Sequence, residues 1–307
     1  MVPAYLSLSP GDLNKRAMAA YDILKCCTLC PKQCRVDRLA GERGFCRTGA
    51  LPFVSSYGAH LGEEAPLVGV HGSGTIFFGN CNLNCVYCQN YSISHLSEGT
   101  EISLDALAVM MIALQEMGCH NVNLVSPSHQ TAAFVMALPE AVKRGLSIPV
   151  VYNCGGYESM QALNLIDGIV DIYMPDLKYS DPAMSLRYSN AEAYPQVAQS
   201  AIKEMHRQVG NLVVDENGIA TRGLLIRHLV LPNNIAGSRQ TLEFIAREIS
   251  TDTYINIMDQ YHPCFKAIEH HLLNRRLTGS EYYAVLEYAK SLGLTRLDKE
   301  DLRGRWL

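Results

Sequence analysis

Residues 75–88 read TIFFGNCNLNCVYC: an apolar run from Thr75 to Phe78 leads straight into a loop holding Cys81, Cys85 and Cys88. A β-branched and aromatic run followed by Gly79 predicts a strand over 75–79. The C-x3-C-x2-C spacing offers three thiolates to one centre. Three thiolates can hold three irons of a 4Fe–4S cluster and leave the fourth open to an exogenous molecule, whereas a cluster with four cysteines suits electron transfer or structure. The same sulfurs could hold zinc with a fourth ligand from elsewhere, although zinc sites usually pair C-x2–4-C with a distant second pair. The stretch predicts redox-initiated chemistry at the end of a strand.

The rest of the composition is compatible with that reading. The chain has 307 residues, 48% of them hydrophobic and 18% charged, enough for one α/β barrel-sized domain. No apolar run is long enough to span a bilayer and residues 1–10 show no signal-peptide pattern, so the expectation is a cytoplasmic protein with no membrane partner. Eight of the eleven cysteines lie between Cys26 and Cys88. In that context they argue for metal or redox chemistry rather than disulfides. Net charge is −4, with eight Lys/Arg against four Asp/Glu in residues 1–60, and no basic stripe marks a nucleic-acid surface.

Outward from the cysteine loop the pattern alternates. Strands are predicted at 122–125, 148–152, 169–174, 224–231 and 254–258. Helices are predicted at 11–22, 104–117, 132–143, 159–165, 182–208, 239–249 and 280–291, with a hairpin over 210–222 around Asp215. Such alternation means βαβ units and a parallel sheet, either open or a barrel short of eight strands. The expected organisation is a small Cys-rich extension over 1–70, a barrel over 71–265 and a helical tail over 266–307 that carries the single tryptophan, Trp306.

Parallel α/β folds bind ligands at the carboxyl ends of their strands. The residues just beyond each predicted strand are polar or conformationally special: Ser126-Pro127-Ser128-His129, Asn153-Cys154-Gly155-Gly156, Asp176-Leu177-Lys178, Asn233-Asn234 and Asp259 to His262. Each has a plainer reading. Gly155-Gly156 could be only a tight turn, Asp176 and Lys178 a solvated pair, and His129 and His262 structural. Cys119, Cys154 and Cys264 read as small buried residues. Upstream, Cys27, Cys30, Cys34 and Cys46, with Cys26 as a neighbour, supply four thiolates in a stretch poor in apolar periodicity. They suit a structural zinc or a second, saturated iron–sulfur cluster, zinc being slightly favoured because such a loop needs a closed site to fold.

Residues 62–94, with the C-x3-C-x-aromatic-C core, Gln89-Asn90 and Ile93-Ser94, resemble the radical S-adenosylmethionine (SAM) superfamily. More narrowly they are similar to uncharacterised relatives of pyruvate formate-lyase activating enzyme, whose N-terminal Cys-rich leader resembles CTLCPKQC with GERGFC here. The resemblance implies a partial (β/α)6 TIM-like barrel with a 4Fe–4S cluster on Cys81, Cys85 and Cys88 as the catalytic centre. It implies reductive cleavage of SAM to a 5′-deoxyadenosyl radical that abstracts hydrogen from a substrate. It also assigns roles: Tyr87 beside the adenine, Asp176 near a monovalent cation, Lys178 on the SAM carboxylate, Asn153 approaching SAM, and His228 near the ribose or carboxylate. Where the family carries Gly-Gly-Glu-Pro for the SAM amino group, this chain has Ser126-Pro127-Ser128-His129, so Ser126 and Ser128 are the candidates there. Implied partners are a low-potential donor, flavodoxin or ferredoxin, and a glycyl radical enzyme if the chain is an activase. The alternatives are direct modification of a peptide or small molecule, a non-catalytic iron–sulfur electron carrier, and a zinc-stabilised binding module.

Overall fold

The computed structural model describes residues 2–298; the tail segment with Trp306 lies outside the described residues. Among the described residues nine strands form one sheet: β1 (Phe53–His60), β2 (Ser73–Phe78), β3 (Thr100–Glu101), β4 (Val122–Val125), β5 (Val150–Cys154), β6 (Ile172–Pro175), β7 (Val213–Val214), β8 (Ala220–Leu229) and β9 (Tyr254–Met258). Six of them, β2, β4, β5, β6, β8 and β9, pair in that order and in parallel, with Ile76 beside Leu124 and Leu124 beside Tyr152. The second neighbour of β2 is the antiparallel β1, so the array stops short of closure and forms a partial (β/α)6 barrel. Strands β4, β5 and β6 are buried at every position, as parallel strands covered on both faces require.

Ten α-helices among the described residues accompany them: α1 (Pro10–Leu24), α2 (Ala65–Val68), α3 (Tyr91–Ser94), α4 (Leu104–Glu116), α5 (Thr131–Lys143), α6 (Met160–Ile166), α7 (Pro182–Ser189), α8 (Tyr194–Val209), α9 (Ser238–Phe244) and α10 (Gly279–Ser291). Local chemistry fixes several starts. Ser9, Ser103, Ser159 and Asp181 cap α1, α4, α6 and α7 by accepting a bond from a first-turn amide.

Three expectations need correction. The single helix predicted over 182–208 is two, because Asn190 (φ 49°) and Ala193 (φ 48°) lie in the left-handed region and Pro195 restarts the chain as α8. The helix predicted over 239–249 is α-helical only to Phe244 and ends in a π-helical turn, Ile245–Ile249. The ribbon of β1 and β3 was not expected, since FVSSYGAH is half-exposed and its apolar positions are sparse. The hairpin around Asp215 is present as β7 against β8, with Asp215 Oδ1 accepting from the amides of Asn217 and Ile219.

One feature positions the site from below. The chain between β1 and β2 dips under the barrel as α2, and Leu67 is fully buried against Val151, Ile172, Met174 and Leu225. Burying a leucine this completely is worth roughly 2–3 kcal/mol. These partners face the barrel interior, and side chains alternate along a strand. Asn153 lies two residues beyond Val151 on β5, and Arg227 two beyond Leu225 on β8, so both face the interior one layer higher.

Candidate active site

The loop after β2 is strapped to the end of α7: the amides of Asn84 and Val86 donate to the carbonyls of Ser189 and Tyr188 at 2.9 Å each. Each of the three thiols gains a nearby polar hydrogen. Cys81 Sγ accepts from the Leu83 amide (3.4 Å), Cys85 Sγ from the Ser189 hydroxyl (3.0 Å), and Cys88 Sγ is approached by the Asn90 amide, while Ser94, 3.1 Å away, gives its own hydrogen to the Asn90 carbonyl. Burial pushes the Cys81 thiol up to about 12 and the Cys85 thiol to about 11, and raises Cys88 as well; the Lys178 ammonium and the hydrogen-bond donors oppose it. A bound metal would therefore displace protons, and the donors are arranged to stabilise the resulting thiolates.

Behind Cys85 runs a directed chain of hydroxyls. Tyr87 donates to Tyr179 (2.7 Å), Tyr179 and Ser189 are 2.7 Å apart, and Ser189 donates to the sulfur. Tyr179 and Ser189 lie about a hundred residues beyond the cysteines, and the sequence reading missed both.

The three thiols face a cavity of about 650 Å³ at the carboxyl ends of the parallel strands. Tyr87, Ser126, Ser128, Asn153, Asp176 and Lys178 also line it, so the structure brings together every predicted SAM-site residue but one. The exception is His228. Its ring is buried outside the barrel, with Nδ1 2.6 Å from the Leu177 carbonyl and Nε2 2.8 Å from Ser238 Oγ. Strand parity explains the miss: the inward residue of that pair is Arg227, which sequence reasoning passed over.

Arg227 is the hub of the lower wall. Its Nε donates to Asp176 Oδ1 (2.8 Å), its Nη2 to Asn153 Oδ1 (2.7 Å), and its Nη1 lies 4.0 Å from carboxylate oxygens of Glu63 and Glu64. Lys178 Nζ holds the other Asp176 oxygen at 2.5 Å. Burial disfavours the Asp176 carboxylate, but Arg227 and Lys178 outweigh it and hold the group below its ordinary range. Burial likewise works against the Lys178 ammonium, and Asp176 reverses the effect. The pair is charged and largely buried, not a solvated surface pair, and both Asp176 oxygens are taken by these cations. Gly156 (φ +75°) sits beneath them, where a Cβ would fall 2.3 Å from the Asp176 carbonyl. That clash, with the positive φ, explains the second glycine of Gly155-Gly156.

On the opposite wall Ser128 donates its hydroxyl to Glu158 Oε1, and Tyr152 donates to Oε2 at 3.0 Å. Burial raises Glu158 to about 7, against the pull of Ser128, Tyr152 and Cys154. Once the Ser128 proton is given to Glu158, only lone pairs remain to turn toward the cavity. His129 instead points away, with Nε2 2.9 Å from the Gly79 carbonyl, and burial lowers it to about 4. His262 is exposed. Cys154 lines the cavity, and Cys264 donates to the Tyr87 carbonyl at 3.2 Å.

Among the N-terminal thiols, Cys27, Cys30 and Cys46 are buried and Cys26 is exposed. Backbone amides approach three sulfurs: Leu29 on Cys27, Lys32 on Cys30, and Phe45 on Cys34 at 3.3 Å. The fourth, Cys46, accepts from Arg38 Nη2 at 3.3 Å. Arg38 is itself buried and otherwise donates to the His129 carbonyl (2.8 Å), so its nearest partners are a carbonyl and a sulfur. Gly44 lies where a Cβ would meet Cys34 Sγ at 2.7 Å. Among the described residues no three Cys, His, Asp or Glu side chains are gathered closely enough to share a single metal ion as they stand.

The family model described as the radical SAM superfamily matches residues 75–217, from β2 to the turn between β7 and β8. An uncharacterized protein of Methanocaldococcus jannaschii is 32% identical over 296 residues, covering 94% of this chain and 81% of its own length. Among solved structures, the chain is similar to the FeFe-hydrogenase maturase HydG from Carboxydothermus hydrogenoformans (TM-score 0.49, 11% identity, 71% of this chain and 50% of that one). It is also similar to SuiB of Streptococcus suis, solved with its precursor peptide (TM-score 0.47, 9% identity, 69% of this chain and 43% of that one). The chain thus spans half or less of each of these two longer proteins.

Proposed function

This chain belongs to the radical SAM superfamily, and from that premise we propose that Cys81, Cys85 and Cys88 hold a 4Fe–4S cluster over a cavity where SAM and a hydrogen-donating substrate meet. The observation that carries the reading is that three hydrogen-bonded thiols, Lys178, Asn153 and Ser128 all face one cavity. The donor set fits: three soft sulfurs with polar hydrogens beside them, and room next to them for a large ligand. A cluster held by Cys81, Cys85 and Cys88, with SAM beside it, would supply one-electron reductive cleavage and hydrogen-atom abstraction.

The chain's own residues bind, orient and exclude water. Lys178, held charged by Asp176, takes the SAM carboxylate. Ser128, its proton committed to Glu158, accepts from the SAM ammonium and stands in for the acid that the Ser-Pro-Ser-His stretch lacks. Asn153, its carbonyl oxygen already bonded to Arg227, is left with its amide hydrogens to offer. Tyr87, its hydroxyl tied back to Tyr179, offers its ring to the adenine. Leu83, Leu229 and Ile257 keep water from the reacting atoms. A flavodoxin or ferredoxin supplies the electron. The substrate is a small molecule or peptide side chain modified directly; the charged floor of Glu63, Glu64 and Arg227 favours this over the uncharged glycine loop of a partner enzyme. The N-terminal thiols hold a second metal centre, zinc or iron–sulfur; the N–H donors 3.3 Å from Cys34 and from Cys46 support this.

Anaerobic reconstitution with iron, sulfide, dithionite and SAM tests the reading. It should yield 5′-deoxyadenosine, and Cys85→Ala should abolish it. An intact cluster that forms none sinks the enzyme assignment.

A further inference from the structure

The floor of the cavity is more acidic than SAM chemistry requires. Five carboxylates line the cavity (Glu63, Glu64, Asp176, Asp259 and Asp298) against two cations, Lys178 and Arg227. Both cations hold Asp176 and Arg227 also holds Asn153, and Arg227 reaches Glu63 and Glu64 only at 4.0 Å. SAM would not restore the balance, since its net positive charge is matched by the net negative charge of an oxidised cluster on three thiolates.

Glu64 is the most telling member. It is 5% exposed, and its Oε1 accepts from Asn256 Nδ2 at 2.9 Å. Its second oxygen, Oε2, is buried with no hydrogen-bond partner among the described residues. A buried carboxylate oxygen left without a donor costs on the order of 1–3 kcal/mol or more, so one expects something to satisfy it. Burial raises the Glu64 carboxyl, with Arg227 opposing, which adds to the demand for a positive neighbour. Glu63 stands beside it, its Oε1 3.4 Å from His60 Nδ1 and its Oε2 4.0 Å from Arg227, both beyond a good hydrogen bond. The backbone of this pair cannot drift, because α2 begins at the next residue and Leu67 is locked in the barrel interior.

We propose that Glu64 and Glu63 form a subsite for a cationic nitrogen of the substrate, an alkylammonium or guanidinium, that enters the cavity with its alkyl stem along Leu61, Phe77 and Ile257. The assignment rests on the enzyme reading above and names its substrate class. An ammonium asks only for two or three acceptors at hydrogen-bond range.

The test is a titration of the full-length protein as purified, monitored by saturation-transfer NMR in potassium chloride. The probes are n-butylammonium chloride and n-butanol, which share a stem and differ in charge. Butylammonium should bind at least tenfold more tightly than butanol, and both Glu64→Gln and Glu63→Gln should erase the preference. Equal binding of the two probes overturns the proposal, even if neither variant folds. So does displacement of butylammonium by potassium exchanged for a bulky cation at constant ionic strength, which would mark an inorganic cation site. Formation of 5′-deoxyadenosine by the reconstituted enzyme is scored separately: its absence refutes the enzyme reading, whereas a failed titration with deoxyadenosine present refutes only the cationic substrate.

Discussion

At the scale of single residues, the site's chemistry turns on where hydroxyl protons point. Ser189 is the last donor in the chain Tyr87, Tyr179, Ser189, and its hydrogen ends on Cys85 Sγ. A donor on a cluster sulfur stabilises the reduced, more negative state and raises the potential. A hydrogen bond worth about 1 kcal/mol corresponds to about 40 mV for a one-electron couple. Ser189→Ala should therefore lower the midpoint potential of the reconstituted cluster by about that much, with iron content retained. A redox titration followed by paramagnetic resonance reads it, and an unchanged or higher potential would refute the contact. Glu158 sets the second proton. Its carboxyl, raised by burial to about 7, keeps Ser128 an acceptor only while ionised. As pH falls through 7 Glu158 gains a proton that it can donate back, Ser128 turns its hydrogen toward the cavity, and the SAM ammonium loses an acceptor. The KM for SAM should rise below pH 7 in the wild type and stay flat across that range in Glu158→Gln; parallel profiles would remove Glu158 from the site.

At the scale of elements, what was legible in the sequence and what was not divide along physical lines. The six parallel strands announce themselves as apolar runs, and the cysteine loop as spacing. The placement of Asn153, Asp176 and Lys178 at the cavity was legible because parallel strands concentrate ligands at one end. His228 was misread because a strand buried on both faces has no polar alternation to fix its parity, so Arg227 and His228 look equivalent until the register with β9 is known. Ser189 and Glu158 were invisible because their roles depend on the break between α7 and α8 and on the turn after β5. Glu63 and Glu64 precede a four-residue helix whose task, plugging the barrel, has no periodic signature. In the N-terminal loop, by contrast, one glycine is readable once the structure is known. A Cβ on Gly44 would stand 2.6 Å from Cys34 Cβ and 2.7 Å from its sulfur. Gly44→Ala must push Cys34 aside. It should lower the N-terminal metal content of the reconstituted chain by at least half while leaving the cluster on Cys81, Cys85 and Cys88 intact. Elemental analysis of zinc and iron per chain decides it; full occupancy of both centres in the variant would argue against Cys34 as a ligand.

At the scale of the whole molecule, the two ends of the barrel differ: the carboxyl end opens into the candidate site, and the amino end ties the first residues of the chain to the sheet. Asp171, just before β6, is 3% exposed and accepts from the Ala4 amide at 2.7 Å and the Val150 amide at 2.9 Å. Tyr5 adds a bond from its hydroxyl to the Ile148 carbonyl at 2.8 Å. Burial raises the Asp171 carboxyl to about 6, the two amides and Arg222 pulling the other way. The folded value thus lies above the unfolded one, near 3.9. Between those values the native state holds a proton that the unfolded chain has lost, so the contribution of this group to stability is complete below about pH 4 and declines as pH rises through 6. A displacement of about two pH units corresponds to roughly 3 kcal/mol. Asp171→Asn cannot titrate, and it can accept only one of the two amides without turning its own hydrogens on the other. The stability advantage of wild type over Asp171→Asn, measured by urea unfolding, should therefore shrink by about that amount between pH 4 and pH 7. If the advantage grew with pH instead, the carboxylate would be the favoured native form and the amino-terminal latch an ionic one.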